Sequence, residues 1–446
     1  MFFKHLFHGG IHPEEHKDTA TQEIVEFRDV TLVFIPMFMH IGTPCAPTVK
    51  RGEQVYRGQL IGEPSGISAP IHSSISGTVK SVKERLLGTN SVVQVVEIES
   101  DGEFTELEGL TPPSYSDRES FLECVRASGL VGLGGAGFPT WQKFNETKEG
   151  VKIDTFLING MECEPFITSD HRQMLEEAPR IIKGVNRLIA ALDIDRAIIG
   201  VENNKPDAIA ALKEALKDLK LDNAGRIEVR AFPARYPQGA AKTFVVAATK
   251  RIVPAQARVT DVGVQVMNVA TVCQLERYFE TGMPLVDKVV TLTGDCPKGK
   301  GNYRVPIGTM IDEFVEHTGG FAKEPSVVSM GGPLNGMVIY DLHTPLIKNN
   351  NAITCLSEEF MDEQIETNCI RCGRCVEACP QNLMPLVLDK AARQKDFATL
   401  DSHAIMNCIE CASCAYVCPA KRHLLQSIKM GKAYYRTEKR KIEANR

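Results

Sequence analysis

The chain lacks any apolar run long enough to cross a membrane. Its best candidate, Val30 to Gly42, is about a dozen residues broken by Pro36, whereas a helical span needs roughly 20. The opening MFFKHLFHGGIHPEEHK shows no long apolar stretch before a small-residue cleavage site, so no secretory leader is expected. The expectation is a chain that stays in the cytoplasm. Charge of one sign is scarce. Lys and Arg number 51 against 56 Asp and Glu, a net charge of −5 that gives no reason to expect nucleic acid. With 43% hydrophobic and 24% charged residues the composition is that of ordinary globular domains and excludes disorder. The 446 residues suffice for about two to four domains.

What the chain has in excess is clustered cysteine. Of 14 cysteines, 8 lie in the last 80 residues. In a large chain without a secretion signal this points to metal ligands, not to a disulfide framework. Cys369, Cys372, Cys375 and Cys379 form C-x2-C-x2-C-x3-C followed by Pro380. Cys408, Cys411, Cys414 and Cys418 repeat it, followed by Pro419. This is the two-cluster ferredoxin run, in which three close thiolates cap one cube and the fourth cysteine ligates the other. The expected sets are Cys369, Cys372, Cys375 and Cys418 for one [4Fe–4S] cluster, and Cys408, Cys411, Cys414 and Cys379 for the second. Zinc also takes C-x2-C pairs, but this doubled spacing is far more specific to clusters. The 28 residues between Cys379 and Cys408 (PLVLDKAARQ, then FATLDSHAIM) read as a helical spacer. Such clusters pass single electrons, which leaves open what lies at the other end.

Gly129 to Phe144, GLVGLGGAGFPTWQKF, holds G-x-G-x-x-G at Gly132, Gly134 and Gly137. An ordinary dinucleotide turn follows a strand and opens a helix. Here a helix is expected before the loop, over Ser116 to Ser128, and a strand after it, over Thr155 to Ile158. Taken alone, the loop is equally a glycine turn between helices.

Together with N-x-x-E-x-E-P at Asn159 to Pro165, GGAGFPT-x-x-K resembles the flavin-bearing, NADH-oxidising subunit of respiratory complex I. The resemblance implies FMN as cofactor and NAD(H) as substrate. It carries over Gly132, Gly134, Gly135, Ala136, Gly137 and Phe138 in the loop, Lys143 downstream, and Asn159, Glu162 and Glu164 at the strand end. Tyr236 and Gly239 in YPQGAAKT fall where that family has a Tyr and Gly before two glutamates, and Asn268 in MNVAT matches a flavin-contacting Asn. Glycine suits such a loop, because a Cβ would keep ring and phosphate from the backbone amides. The chain departs from the family where Ala240 and Ala241 replace the glutamate pair and Met161 replaces an acid, which touches the nicotinamide contacts more than the FMN site. Lys143 also reads as a solvated lysine, and Glu162 and Glu164 as acids favoured by a helix N-terminus.

KRGEQVYRGQLIGEP (50–64) and SAPIHSSISGTV (68–79) resemble the biotinyl/lipoyl carrier domain, a barrel-sandwich hybrid. A carrier needs an exposed lysine at the tip between these sets. The tip is His72-Ser73-Ser74-Ile75, and Lys80 lies off it, so a docking scaffold is expected and not a swinging arm. Val289 to Gly320 read strand, turn, strand, helix and resemble the soluble-ligand-binding β-grasp module that follows the FMN domain in complex I; a structural role is expected. His8, His12 and His16 have a metal-like spacing, but Pro13 breaks the helix that would align them. The tail from Lys421 to Arg446 holds 9 Lys/Arg against 2 Asp/Glu. It reads as a basic helix for anionic lipid, an acidic partner or RNA, or as a frayed terminus; the acidic balance of the chain disfavours RNA.

The expected fold is multidomain α/β and α+β. An N-terminal segment (1–28) precedes a barrel-sandwich hybrid (29–105), a Rossmann-like FMN/NADH domain (115–275), a β-grasp domain (285–350), a helical 2[4Fe–4S] ferredoxin domain (358–430) and a basic tail (431–446). This order, with the opening HGGIHPEEHK, resembles the RnfC family of Rnf electron-transport complexes across essentially the whole chain. The resemblance implies a peripheral protein on the cytoplasmic face of the cell membrane. There it would pass electrons between NAD(H), FMN and two [4Fe–4S] clusters, with the other Rnf proteins as partners and ferredoxin an indirect one. The complex would couple this flow to Na+ or H+ movement. Two other readings are a soluble flavin/iron–sulfur cobalamin reductase and a non-catalytic electron-transfer adaptor. No Ser/His/Asp arrangement for nucleophilic catalysis is expected.

Overall fold

The computed structural model describes residues 7–145, 150–360 and 365–444; the last two residues of the basic tail lie outside these. Near the N-terminus, strands Leu32–Pro36, Val92–Ser100, Gly77–Leu86 and Gln54–Val55 pair antiparallel in that order. A second small sheet joins Ala46–Pro47, Leu60–Glu63 and Ile71–His72. Val33, Ile35, Ile61, Ile71, Val79, Val96 and Ile98 point inward and are fully buried. The carrier-like tip is not presented to solvent. His72 to Ile75 are buried, and the Ser74 hydroxyl donates to the Ile307 carbonyl of the next-but-one module at 2.5 Å.

The helix Arg118–Ala127 starts at Asp117, whose carboxylate accepts from Ser120 N while the Ser120 side chain returns to the Asp117 backbone. Beyond the glycine loop runs a four-stranded parallel sheet in the order Ile227–Phe232, Arg196–Glu202, Thr155–Gly160, Val264–Asn268. Runs such as FLI and AIIGV are buried on both faces, as a parallel sheet between helices requires. The winding reverses between Thr155–Gly160 and Val264–Asn268, and open parallel sheets place their ligand crevice beyond the carboxyl ends of strands at such a reversal.

The β-grasp sheet is larger than the segment expected from sequence. Its strands run Ile24–Glu26, Gly301–Pro306, Asp287–Gly294, Ala352–Leu356, Val327–Met330, Met337–Ile339. It extends past residue 350 and takes an edge strand from the N-terminal segment, paired parallel to Gly301–Pro306. In the cysteine-rich region the spacer folds as helices Pro385–Gln394 and Phe397–Ser402. The basic tail does not begin at 431 as a separate segment. The helix Leu424–Ala444 is continuous, its Gly431, Lys432 and Tyr435 are buried, and Tyr435 stacks on Phe397 with centroids 4.9 Å apart. None of the described helices is long and apolar enough to cross a membrane.

One buried carboxylate ties three modules. Asp287 opens a β-grasp strand and accepts from Arg57 of the barrel at 2.5 Å, Arg277 of the helix Val269–Thr281 at 2.6 Å and Arg304 at 3.5 Å. Burial alone would raise this acid, but the three guanidiniums win and hold it down to about 2. Removing one member of a buried charge group costs about 3–5 kcal/mol. Asp287→Ala is therefore expected to lose stability of that order in urea unfolding. Because the folded-state value is depressed, this contribution is present above the ordinary carboxylate range and is lost as pH falls toward 2, so the gap between wild type and variant narrows in acid.

Candidate functional site

At the reversal point Asn159 lies opposite Asn268, each near the end of its strand. Above them opens a cavity of about 780 Å³. Its lining includes Gly132, Gly134, Gly135, Ala136, Phe138, Lys143, Asn159, Glu162, Glu164, Tyr236, Gly239 and Asn268. Of the residues carried over by resemblance, Gly137 alone is not among the lining residues; it turns at φ +65° behind the loop, against Asn349.

The loop is held from outside. Lys288 Nζ donates to Leu133 O at 2.6 Å, Lys348 Nζ to Gly129 O at 2.8 Å and Pro70 O at 2.5 Å, and Asn349 Nδ2 to Gly135 O at 2.6 Å. Burial pushes both lysines down to about 7. No hydrogen bond among the described residues engages the N–H groups of Gly134, Gly135 or Ala136, three exposed residues that line the cavity. Gly135 sits at φ +109°, and an added Cβ there would meet nothing within 4 Å, so it would stand in open space. The Lys143 ammonium has no partner among the described residues and lies beside Gly132; burial lowers its pKa.

The two asparagines and two acids also build the site's own frame. Asn159 donates to Gly239 O at 2.8 Å, and Asn268 accepts from Ala270 N at 2.9 Å, capping the helix Val269–Thr281, while donating to Asp170 at 2.6 Å. Glu162 accepts from Asp170 N at 2.7 Å at the start of the helix Ser169–Glu176, and burial raises it to about 7. Glu164 accepts from Leu334 N at 2.6 Å and Asn335 N at 2.9 Å of the β-grasp module. Tyr236 is buried near Glu164, and burial with that neighbouring carboxylate pushes its phenol up, so it stays protonated. Ala240 and Ala241 line the wall at the start of the helix Ala241–Thr249, which has no acid in its first turn.

Sequence reasoning missed Lys17, Asp170, Lys288, Lys348 and Asn349. Lys17 Nζ bonds Glu162 O, Glu164 O and Ile167 O at 2.9, 2.7 and 2.5 Å. Its only signal was its place in the HGGIHPEEHK opening. His16 of that opening stacks on Phe166 with centroids 4.7 Å apart.

The eight C-terminal cysteines divide between two small cavities. One is lined by Cys369, Cys372, Cys375 and Cys418, the other by Cys379, Cys408, Cys411 and Cys414. Each fourth cysteine thus crosses to the other run. The remaining walls are largely apolar, with Leu386 and Leu424 in the first and Leu383, Leu388 and Ile428 in the second. Arg371 and Gly373, then Glu410 and Ala412, take left-handed backbone at equivalent places and wrap each run around its cavity. Burial pushes the Cys408 thiol up to about 11. A bound cluster would supply the positive charge that keeps ligating sulfurs deprotonated. Cys411 lines both its thiol cavity and the large crevice under the glycine loop.

Comparison with known proteins agrees with this division. Residues 5–103 match the profile of the RnfC barrel sandwich hybrid domain, 125–277 that of the Nuo51 FMN-binding domain, and 368–421 that of a 4Fe-4S dicluster domain. The chain is 39% identical to the RnfC-type component of the Na(+)-translocating ferredoxin:NAD(+) oxidoreductase complex of Acetobacterium woodii, over 99% of this chain and 100% of that one. It is 36% identical to the corresponding component of the proton-translocating complex of Clostridium ljungdahlii, over 86% of this chain and 83% of that one. A solved chain of an NAD+-reducing [NiFe]-hydrogenase is similar at 17% identity and a TM-score of 0.49, covering 72% of this chain and 61% of that one.

The crossed thiol sets can be separated by paired substitutions. Cys372→Ala with Cys418→Ala strikes one cavity, and the chain is expected to keep about half its iron. Cys372→Ala with Cys379→Ala strikes both, and little iron is expected to remain. Iron analysis of the two purified variants distinguishes this from an uncrossed arrangement, which predicts the reverse order.

Proposed function

The chain belongs to the RnfC family of ion-translocating ferredoxin:NAD(+) oxidoreductase (Rnf) complexes, and from that premise we propose that it is the NAD-side redox component, with FMN in the crevice under the glycine loop. The complex couples electron flow between ferredoxin and NAD to Na+ or H+ translocation. The observation that carries the site assignment is the shared wall: Cys411 borders both the crevice and a thiol quartet.

FMN, when bound, exchanges a hydride with nicotinamide on one side and single electrons with a cluster on the other. The protein's part is positioning. The unengaged N–H groups of Gly134, Gly135 and Ala136 and the Lys143 ammonium present positive groups to the phosphate and ring oxygens. Asn159 and Asn268 form the crevice floor at the strand ends. Tyr236, kept protonated, lines the crevice wall together with Cys411 and belongs to the apolar cluster against which Cys411 packs. Glu162 and Glu164 act chiefly by shaping the wall, since backbone N–H groups already engage both. With Ala240 and Ala241 in place of carboxylates, nicotinamide dinucleotide meets methyl groups and an uncapped helix start. The protein is peripheral to the membrane, and we place it on the cytoplasmic face, where NAD(H) is supplied. The FMN-domain match over 125–277 and the relatives' names favour neither a soluble corrinoid reductase nor a flavin-free adaptor.

The test is the chain with reconstituted clusters and FMN. NADH is expected to bleach both flavin and cluster absorbance. Failure to take up FMN, or clusters that NADH leaves unreduced, would overturn the reading. Gly135→Val fills the open space over the loop and strains its backbone. FMN affinity, followed by flavin fluorescence, is expected to fall by at least about tenfold.

A further inference from the structure

The opening segment, residues 7–17, touches both redox sites at once. On one side Gly10 N donates to Ala378 O at 2.9 Å, directly before the thiol ligand Cys379. On the other, Ile11 and Tyr236 exchange backbone hydrogen bonds of 2.8 and 3.0 Å. Phe7 lies under the Arg235 guanidinium, 5.1 Å from ring centroid to Cζ. Further along, Glu15 O accepts from Phe166 N at 2.9 Å, and Lys17 gathers the carbonyls of Glu162, Glu164 and Ile167.

The fit is closest at the two glycines. A Cβ on Gly9 would stand 2.7 Å from Ala378 O and 2.8 Å from the Cys379 carbonyl carbon. One on Gly10 would stand 2.7 Å from Tyr236 O. Backbone lies on both sides, so no flexible side chain can yield. Ile11, Tyr236 and Ala378 form one small apolar cluster against which Cys411 packs.

We infer that residues 7–17 are a strap that sets the spacing between the flavin crevice and the nearer cluster, that of Cys379, Cys408, Cys411 and Cys414. This rests on the functional reading above and adds a positioning role to residues that hold neither cofactor. The step it governs is the transfer of one electron from reduced FMN to the nearer cluster, which is thereby reduced by one.

Gly9→Val pushes the strap off the Ala378–Cys379 backbone. Gly102→Val is the control, because Gly102 has the same sign of φ (+78°) but nothing within 4 Å of an added Cβ. Wild type and both variants are loaded with iron and FMN and mixed with NADH. Flavin bleaching is expected to be unchanged in all three. Cluster reduction in Gly9→Val is expected to slow severalfold relative to wild type and Gly102→Val, because electron transfer weakens as the flavin–cluster spacing grows, while dithionite reduces its clusters as in wild type. Hydrogen exchange gives a second readout that needs no turnover: the Tyr236 amide, which donates to Ile11 O, should lose protection in Gly9→Val and not in Gly102→Val. Cluster reduction at the wild-type rate overturns the strap's role. So does joint loss of iron and flavin with normal rates in what remains, which would mark a folding element only. A wild-type chain whose flavin NADH does not bleach would sink the functional reading instead, and the exchange data would still decide whether the strap joins the two modules.

Discussion

The backbone carbonyls of Gly129, Leu133 and Gly135 are held by Lys348, Lys288 and Asn349, none of which belongs to the parallel-sheet domain that carries the loop. An ammonium in an apolar interior is costly unless it is bonded. Here the bonds it finds are backbone carbonyls, those of the turn and, for Lys348, also Pro70 O of the barrel. Loop and β-grasp module are therefore interdependent. Without the turn Lys288 loses its backbone acceptor and Lys348 keeps only Pro70 O, and without the lysines the carbonyls of Gly129 and Leu133 lose the donors that hold them. A module that looked merely structural determines the shape of the site.

The carrier-like barrel is drawn into the same arrangement. Its tip carries no lysine and has become a wedge. Ser74 bonds the β-grasp backbone, Lys348 bonds Pro70 O beside the tip, and a Cβ on Gly129 would come within 2.7 Å of that same carbonyl. Asp287 with Arg57, Arg277 and Arg304 adds a charged node where barrel, parallel-sheet domain and β-grasp meet. The cluster domain joins through the opening strap and through the wall shared at Cys411. The molecule thus has a polarity. One thiol quartet borders the crevice, and the other contains Cys369 and Cys372, both exposed to solvent.

The doubled cysteine run predicted from sequence the two thiol sets that line the two cavities, because iron–sulfur coordination is local. Spacing of two and three residues places three thiols around one cube, and the fourth can only reach its neighbour. The helical spacer was also legible, whereas the α/β architecture of the middle domain came from the resemblance to the complex I subunit and not from the pattern of its apolar residues. The glycines announced a close approach, and Gly135 at φ +109° meets that need.

What the chain order could not reveal was how shared residues divide their bonds. Glu162 and Glu164 were marked as site acids, yet each accepts from backbone N–H groups that folding brings from a helix start and from a β-grasp turn. Lys17 and Lys288 carried no local pattern, because a lysine that bonds carbonyls about 150 positions away leaves no mark in its own neighbourhood. The tail divided at Tyr435 and not at residue 431, since only packing against Phe397 tells a buried helical face from a solvated one. Sequence determined the helical spacer and the grouping of the eight thiols, whose chemistry is set within a few residues. The tertiary structure alone decided which polar groups stay open to a ligand, because a hydrogen bond is assigned by proximity in space.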